Sequence, residues 1–136
     1  MKKTTGKKGF SLIELMIVIA VVAILVALAV PSYTGYVRKA KRGEAEQLLM
    51  NWANLQEIWR ANNPTYADED DIAVPTHDNY TFTVSGESAS AFVLTATPTG
   101  DQNKDKDRGK ICNPLSLDQS GTKGPVYESK TYCWGD

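Results

Sequence analysis

The sequence predicts an α+β chain: one long N-terminal α-helix followed by a small antiparallel β-sheet of about four strands. Three observations carry this prediction. Leu15 to Val30 is 16 residues without a charge. Beyond it, Ala45, Leu48, Trp52, Leu55 and Trp59 recur at steps of three and four, the period of an amphipathic helix. After residue 79 the pattern changes to alternation, with Tyr80, Phe82 and Val84 on one face of a strand.

The helix begins in the apolar run. Counted from Phe10 to Val30 it is 21 residues long, and at about 1.5 Å per residue it spans a hydrocarbon core of ~30 Å. Lys2, Lys3, Lys7 and Lys8 precede it with no acid among them, and the positive-inside rule keeps such a tip cytoplasmic. Glu14 sits inside the run. A secretory signal cut after Ala27-Leu28-Ala29 does not account for this acid, nor does a plain anchor. An ionisable group at membrane depth calls for a partner.

The helix is expected to continue to about Ala61, with Leu49 and Ile58 widening its apolar stripe and the tryptophans packing on the sheet. Pro31, Gly35 and Gly43 interrupt it. Pro31 lacks an amide hydrogen and crowds the preceding turn, so a kink or local break is expected there. Asn62-Asn63-Pro64 ends the helix. Arg38, Lys39, Lys41 and Arg42 read as an exposed or membrane-flanking basic patch. A patch of this size gives nucleic acid only weak affinity unless many copies act together.

Thr65 to Asn79 has no period and reads as an irregular connection, with Asp68-Glu69-Asp70-Asp71 solvated. His77 reads as a surface loop residue rather than a catalytic base. Tyr80 to Val84 and Ala91 to Thr97, joined through the turn residues Ser85-Gly86-Glu87-Ser88, form a hairpin that Pro98 ends. Asp101 to Lys110 reads as a solvated polar loop. Its alternating oxygens resemble the start of a calcium-binding EF-hand loop. Lys106, however, stands where that loop needs glycine, and Cys112 where it needs a bidentate glutamate. No metal or other cofactor is expected. Leu115 to Leu117 is a short third strand closed by Gln119-Ser120-Gly121, and Val126 to Trp134 supplies a fourth.

At 136 residues the chain holds one domain plus its N-terminal segment. The net charge is -1, and without the four leading lysines the remainder carries five more acids than bases. That opposes a nucleic-acid surface spread over the whole domain. One histidine, no metal-ligand spacing and no nucleophile motif argue against an enzyme. Cys112 and Cys133 form no CxxC and no zinc set. Behind an export-type N-terminus they read as one disulfide in an oxidising compartment.

The lysine-rich leader ending in Gly9, then Phe10-Ser11-Leu12-Ile13-Glu14-Leu15, with Pro31 further along the helix, resembles the N-terminus of type IV pilins. The resemblance implies the pilin fold, with the apolar half of the helix protruding. It implies a leader peptide at 1–9, an apolar transmembrane and fibre-core helix at 10–37, and a globular pilin domain at 38–136. The leader would be cut after Gly9 by a membrane-embedded prepilin peptidase, and Phe10 would then be N-methylated. The Phe10 amine and Glu14 stand four residues apart on one helix face. Their pairing within one subunit or between subunits is open from the residues; the resemblance implies the intersubunit pair. It also implies the partners: other pilin subunits, the peptidase, the inner-membrane assembly machinery, and lipid before assembly. The subunit would sit in the inner membrane with its C-terminal domain periplasmic, then enter a surface fibre used for adhesion, twitching motility or DNA uptake. Major and minor subunits share this N-terminus. A pseudopilin of type II secretion, and an exported protein behind an ordinary signal, are the alternatives.

Overall fold

The computed structural model describes residues 9–125 and 132–135. In chain order the elements are α1 (Leu12–Arg60), β1 (Tyr80–Ser85), β2 (Val93–Pro98), a 3₁₀-helix (Gly100–Lys104), β3 (Lys106–Asp107), β4 (Lys110–Ile111), β5 (Leu115–Asp118) and β6 (Lys123–Gly124). The chain divides into two compact units, one up to Gly35 and one from Tyr36.

The first unit is helical from Leu12, and its apolar side chains are exposed throughout. α1 is long and apolar enough near its N-terminus to cross a membrane. The local break expected at Pro31 does not occur: Pro31 lies inside α1, and helical pairing continues past it. Thr34 Oγ1 donates to the Pro31 carbonyl at 3.0 Å.

The second unit is built on a four-stranded antiparallel sheet of order β1-β2-β5-β6. Alternation along β1 and β2 sends Tyr80, Phe82, Val84, Leu94 and Ala96 to one buried face. Leu115 and Leu117 extend that face across β5. Ala45, Leu49 and Trp52 of α1 complete the core, all fully buried. The apolar stripe is therefore narrower than expected. The sheet covers the line Ala45-Leu49-Trp52-Gln56, one side of a 3.6-residue helix. Leu55 and Ile58 fall off that line and stay 38% and 64% exposed.

Gln56 is buried without penalty because both ends of its amide are satisfied. Nε2 donates to the Ala67 carbonyl and Oε1 accepts the Ala67 amide, each at 2.9 Å. This clasp fixes the start of the helix-to-sheet connection. Tyr66 then packs edge-on against Phe92, and Asp68 Oδ1 accepts the amides of Asp70 and Asp71 in an exposed turn.

The first hairpin forms as expected, with β2 beginning at Val93 rather than Ala91. Among the described residues the fourth strand of the sheet lies earlier in the chain than the expected Val126 to Trp134. It is β6, paired with β5. Of the expected stretch, residues 126–131 lie outside the described residues, and 132–134 form a turn and bend. Two residues suffice for β6 because its neighbours hold it. Trp134 Nε1 donates to the Gly124 carbonyl at 2.7 Å. A Cβ at Gly124 would meet Ser116 Oγ, so a side chain there would require the serine hydroxyl to turn away. The Cys112–Cys133 disulfide ties this edge together, with both half-cystines fully buried.

Candidate functional site

The segment from Asp101 to Lys110 is structured, not a solvated loop. Its 3₁₀-helix and the β3–β4 ribbon are held to the Arg38–Glu46 stretch of α1. Arg38 Nε and Nη2 donate to Asp101 Oδ2 at 2.9 and 2.7 Å. Gln102, buried, donates from Nε2 to the Arg38 carbonyl at 2.9 Å and to Tyr80 Oη at 3.0 Å. Burial of that phenol pushes its pKa up to about 12.

The centre of the contact is Arg42. The sequence placed it in an exposed basic patch; it is 3% exposed. Its Nη1 donates to Asp105 Oδ2 at 2.9 Å and lies 3.1 Å from Cys112 Sγ. Its other nitrogens lie 3.6 Å from Glu46 and 3.9 Å from Asp107. A guanidinium is desolvated here only because carboxylates surround it. The carboxylates respond to the same burial. Desolvation pushes Asp105 and Glu46 above the ordinary carboxylate range, while Arg42 pulls both back. The backbone of Gly135 also favours the charged form of Glu46.

This arrangement separates charge. Lys104-Asp105-Lys106-Asp107-Arg108 alternates in sign along the chain. In the fold the acids of that run turn toward Arg42, while Lys104, Lys106 and Arg108 are exposed. Lys104 Nζ pairs with the exposed Asp101 Oδ1 at 3.0 Å, so Lys106 and Arg108 are the bases that make this surface cationic. Asp105, one of the oxygens in the calcium-like run, is committed to the guanidinium. At the tip, Asp107 pairs with Lys110 across a two-residue loop, Arg108-Gly109, with φ of 47° and 83°. Positive φ at both positions is the hairpin turn that matches strand twist. Arg108 lies 6.0 Å over the ring of Tyr132, and Lys123 Nζ 5.2 Å over that of Trp134.

His77 is a strut rather than a free loop residue, its side chain only 11% exposed. Nδ1 accepts the Asn79 amide at 3.0 Å, so the proton is assigned to Nε2, which faces Glu44 Oε2 of α1 at 2.9 Å. The ring also meets Tyr80 edge-on. Gly9, Phe10 and Glu14 lie exposed at the start of the first unit, Phe10 at 80%. Sequence reasoning missed Asp105 and Asp107 as partners of Arg42. Their residue-by-residue sign alternation is the signal that marks a strand with an acidic inner face.

A helix backing a four-stranded antiparallel sheet, with a disulfide closing the C-terminal edge, defines the type IV pilin class. Residues 31–116 match the family described as "Type IV minor pilin ComP, DNA uptake sequence receptor", and residues 4–30 match the prokaryotic N-terminal methylation motif. The chain belongs to that pilin family. It is 37% identical to a fimbrial protein of Moraxella nonliquefaciens over 68% of this chain and 58% of that protein. It is 31% identical to PilA4, the type IV wide pilus major component of Thermus thermophilus, over 68% of this chain and 75% of that protein. The chain thus spans less than two thirds of the Moraxella protein. A solved type IV pilin from Shewanella oneidensis superposes with a TM-score of 0.57 at 27% identity, covering 73% of this chain and 99% of that one. Type IV pilins are structural subunits that assemble with other pilin subunits into fibres, and the matches do not favour the pseudopilin alternative.

Proposed function

We propose that this chain is a minor pilin that contacts double-stranded DNA through the β3–β4 ribbon and contributes no catalytic step. The observation that carries the reading is the separation of charge about Arg42. Asp105 and Asp107 are turned toward Arg42, Lys104 pairs with the exposed Asp101 at 3.0 Å, and Lys106 and Arg108 give a local cationic surface on a chain whose net charge is -1. Phosphate neutralisation by such residues dominates DNA affinity and makes it fall with salt. The family description of residues 31–116 supports the same ligand. Fluorescence anisotropy of a labelled duplex tests it: Lys106→Glu is expected to weaken binding roughly tenfold at low salt and to flatten the salt dependence. An unchanged affinity would move the contact elsewhere on the molecule.

The N-terminus in this reading is a prepilin leader, 1–9, cut after Gly9 by a prepilin peptidase, with Phe10 then N-methylated. The apolar helix, 10–37, holds the subunit in the inner membrane with the globular domain, 38–136, periplasmic, until assembly machinery moves it into the fibre. The methylation-motif match and the unit change after Gly35 support this division. Pro31 gives the helix a point of bending during that transfer. Glu14 pairs with the Phe10 amine of a neighbouring subunit, where either charge alone in a dry bundle would be costly. Glu14→Ala is accordingly expected to be processed and membrane-resident but poorly incorporated. The ratio of variant in sheared pili to variant in the inner membrane measures this, and a ratio equal to wild type removes the pairing role.

A further inference from the structure

We propose that Tyr36, Lys39 and Lys41 form an interfacial collar on α1, which holds the subunit to the phosphates of anionic lipid before it enters a fibre. The inference rests on the membrane-anchored reading above. The four bases that follow Gly35 divide by residue type in the fold. Both arginines turn to carboxylates of the globular unit, Arg38 to Asp101 and the buried Arg42 to Asp105. Lys39 and Lys41 form no ion pair among the described residues. Glu44, one turn beyond Lys41, faces His77 instead. This division suits two different partners. A planar guanidinium fork matches a fixed carboxylate, whereas an ammonium is a hydrated point charge on a flexible stem. Such a charge serves a layer of lipid phosphates, which attracts basic residues without imposing one geometry.

Tyr36 fits the same layer. It is 73% exposed, and its phenol has no hydrogen-bond partner among the described residues. On a soluble surface a lone exposed tyrosine needs no explanation. This one follows Val30, the end of the apolar run, by six positions, about 9 Å of helical rise. The headgroup layer adds roughly 5–8 Å on each side of the ~30 Å hydrocarbon core. Side chains on a helix lean toward its N-terminus, here toward the apolar run, which brings the phenol into that layer. There a tyrosine keeps its ring in apolar surroundings and its hydroxyl wet. Lys39 lies three residues on, a neighbour on the same helix face. Its four-carbon stem, like that of Lys41, reaches back along the helix to the phosphates. A contact made for DNA alone would need neither the phenol nor this short distance from the apolar run.

The test uses the full chain reconstituted into phosphatidylcholine vesicles with and without phosphatidylglycerol. Flotation reads incorporation, and spin-labelled lipids of each headgroup read which lipid surrounds the protein. Wild type is expected to prefer phosphatidylglycerol. The double variant Lys39→Gln/Lys41→Gln is expected to lose that preference roughly fivefold at low salt, with incorporation and thermal midpoint unchanged. Tyr36→Trp keeps the belt chemistry and adds a reporter. Its emission is expected to be quenched beyond wild type by lipid brominated near the headgroup, and less by lipid brominated at the chain end. Incorporation without a headgroup preference, or a preference that survives in the double variant, would overturn the collar and leave the anchor standing. Quenching in Tyr36→Trp equal to wild type would overturn it as well. A double variant that binds a labelled duplex more weakly while keeping its lipid preference would make the lysines a DNA contact instead. A chain that does not float with either vesicle would overturn anchor and collar together.

Discussion

Arg42→Ala is expected to destabilise the globular unit by about 3–5 kcal/mol, the scale for removing one partner of a buried charge pair. Arg42 and Asp105 are each 3% exposed. Deleting the guanidinium leaves Asp105, with Glu46 and Asp107 nearby, in a site that water does not reach freely. The loss should depend on pH, and its sign follows from the protonation states. Burial already raises Asp105 and Glu46 in the folded state, so their contribution is fully present below the unfolded values and is lost as pH rises through the folded ones. Arg42 is the cation that restrains both shifts. Without it they grow, and the window of lost stability moves up toward neutrality. The destabilisation should therefore be larger near about pH 7 than near about pH 4. Asp101 and Asp118 are held below the ordinary range, Asp118 by the hydroxyls and amides of Ser120 and Thr122 against its desolvation, and act in the opposite sense. Removal of Arg42 leaves Asp118's partners in place, so its contribution cancels in the comparison. Urea unfolding of wild type and variant at both pH values measures the difference. A gap that does not change with pH would mean that Arg42 matters for packing and not for its charge.

Much of this architecture was legible in the sequence for physical reasons that do not depend on tertiary detail. The apolar run from Leu15 to Val30, the three-and-four spacing at Ala45, Leu48 and Trp52, and the alternation at Tyr80, Phe82 and Val84 are periodic, and period reports secondary structure directly, although the buried line passes through Leu49 and leaves Leu48 half-buried. What failed was set by partners distant in sequence. Arg42 belongs to a run of bases, and its burial depends on Asp105, 63 residues away, with Asp107 beside it. Leu55 and Ile58 fit the helical period, yet the sheet is too narrow to cover them. β6 has only two residues, and the Trp134 indole and the packing of Ser116 on Gly124 define it better than propensity does. The ribbon was hidden for a related reason. Lys104 to Arg108 has three bases and two acids, and composition cannot say which sign will face outward.

Replacing Cys112 and Cys133 together by alanine is expected to cost roughly 3 kcal/mol on the chain-entropy estimate for a closed loop of this size. The separation is 21 residues, and that loop includes β5, its turn and β6. The effect should be uneven. β1 and β2 pair over six residues each and pack on Leu49 and Trp52, with no element inside the cross-linked loop needed for that pairing. β6 has two residues and depends on the C-terminal segment through Trp134, which depends in turn on Cys133. Local openings follow the weakest set of contacts, so amide exchange should quicken in β5, β6 and residues 132–135 while β1 and β2 keep their protection. The β3–β4 ribbon should loosen with them, because Arg42 Nη1 lies against Cys112 Sγ and the Cys112 amide donates to the Asp105 carbonyl. DNA affinity should then fall in the alanine variant even where β1 and β2 remain folded. Hydrogen exchange read by mass spectrometry, beside anisotropy on the same sample, separates the two effects. Uniform loss of protection across the sheet would mean that the disulfide supports the whole domain rather than its binding edge.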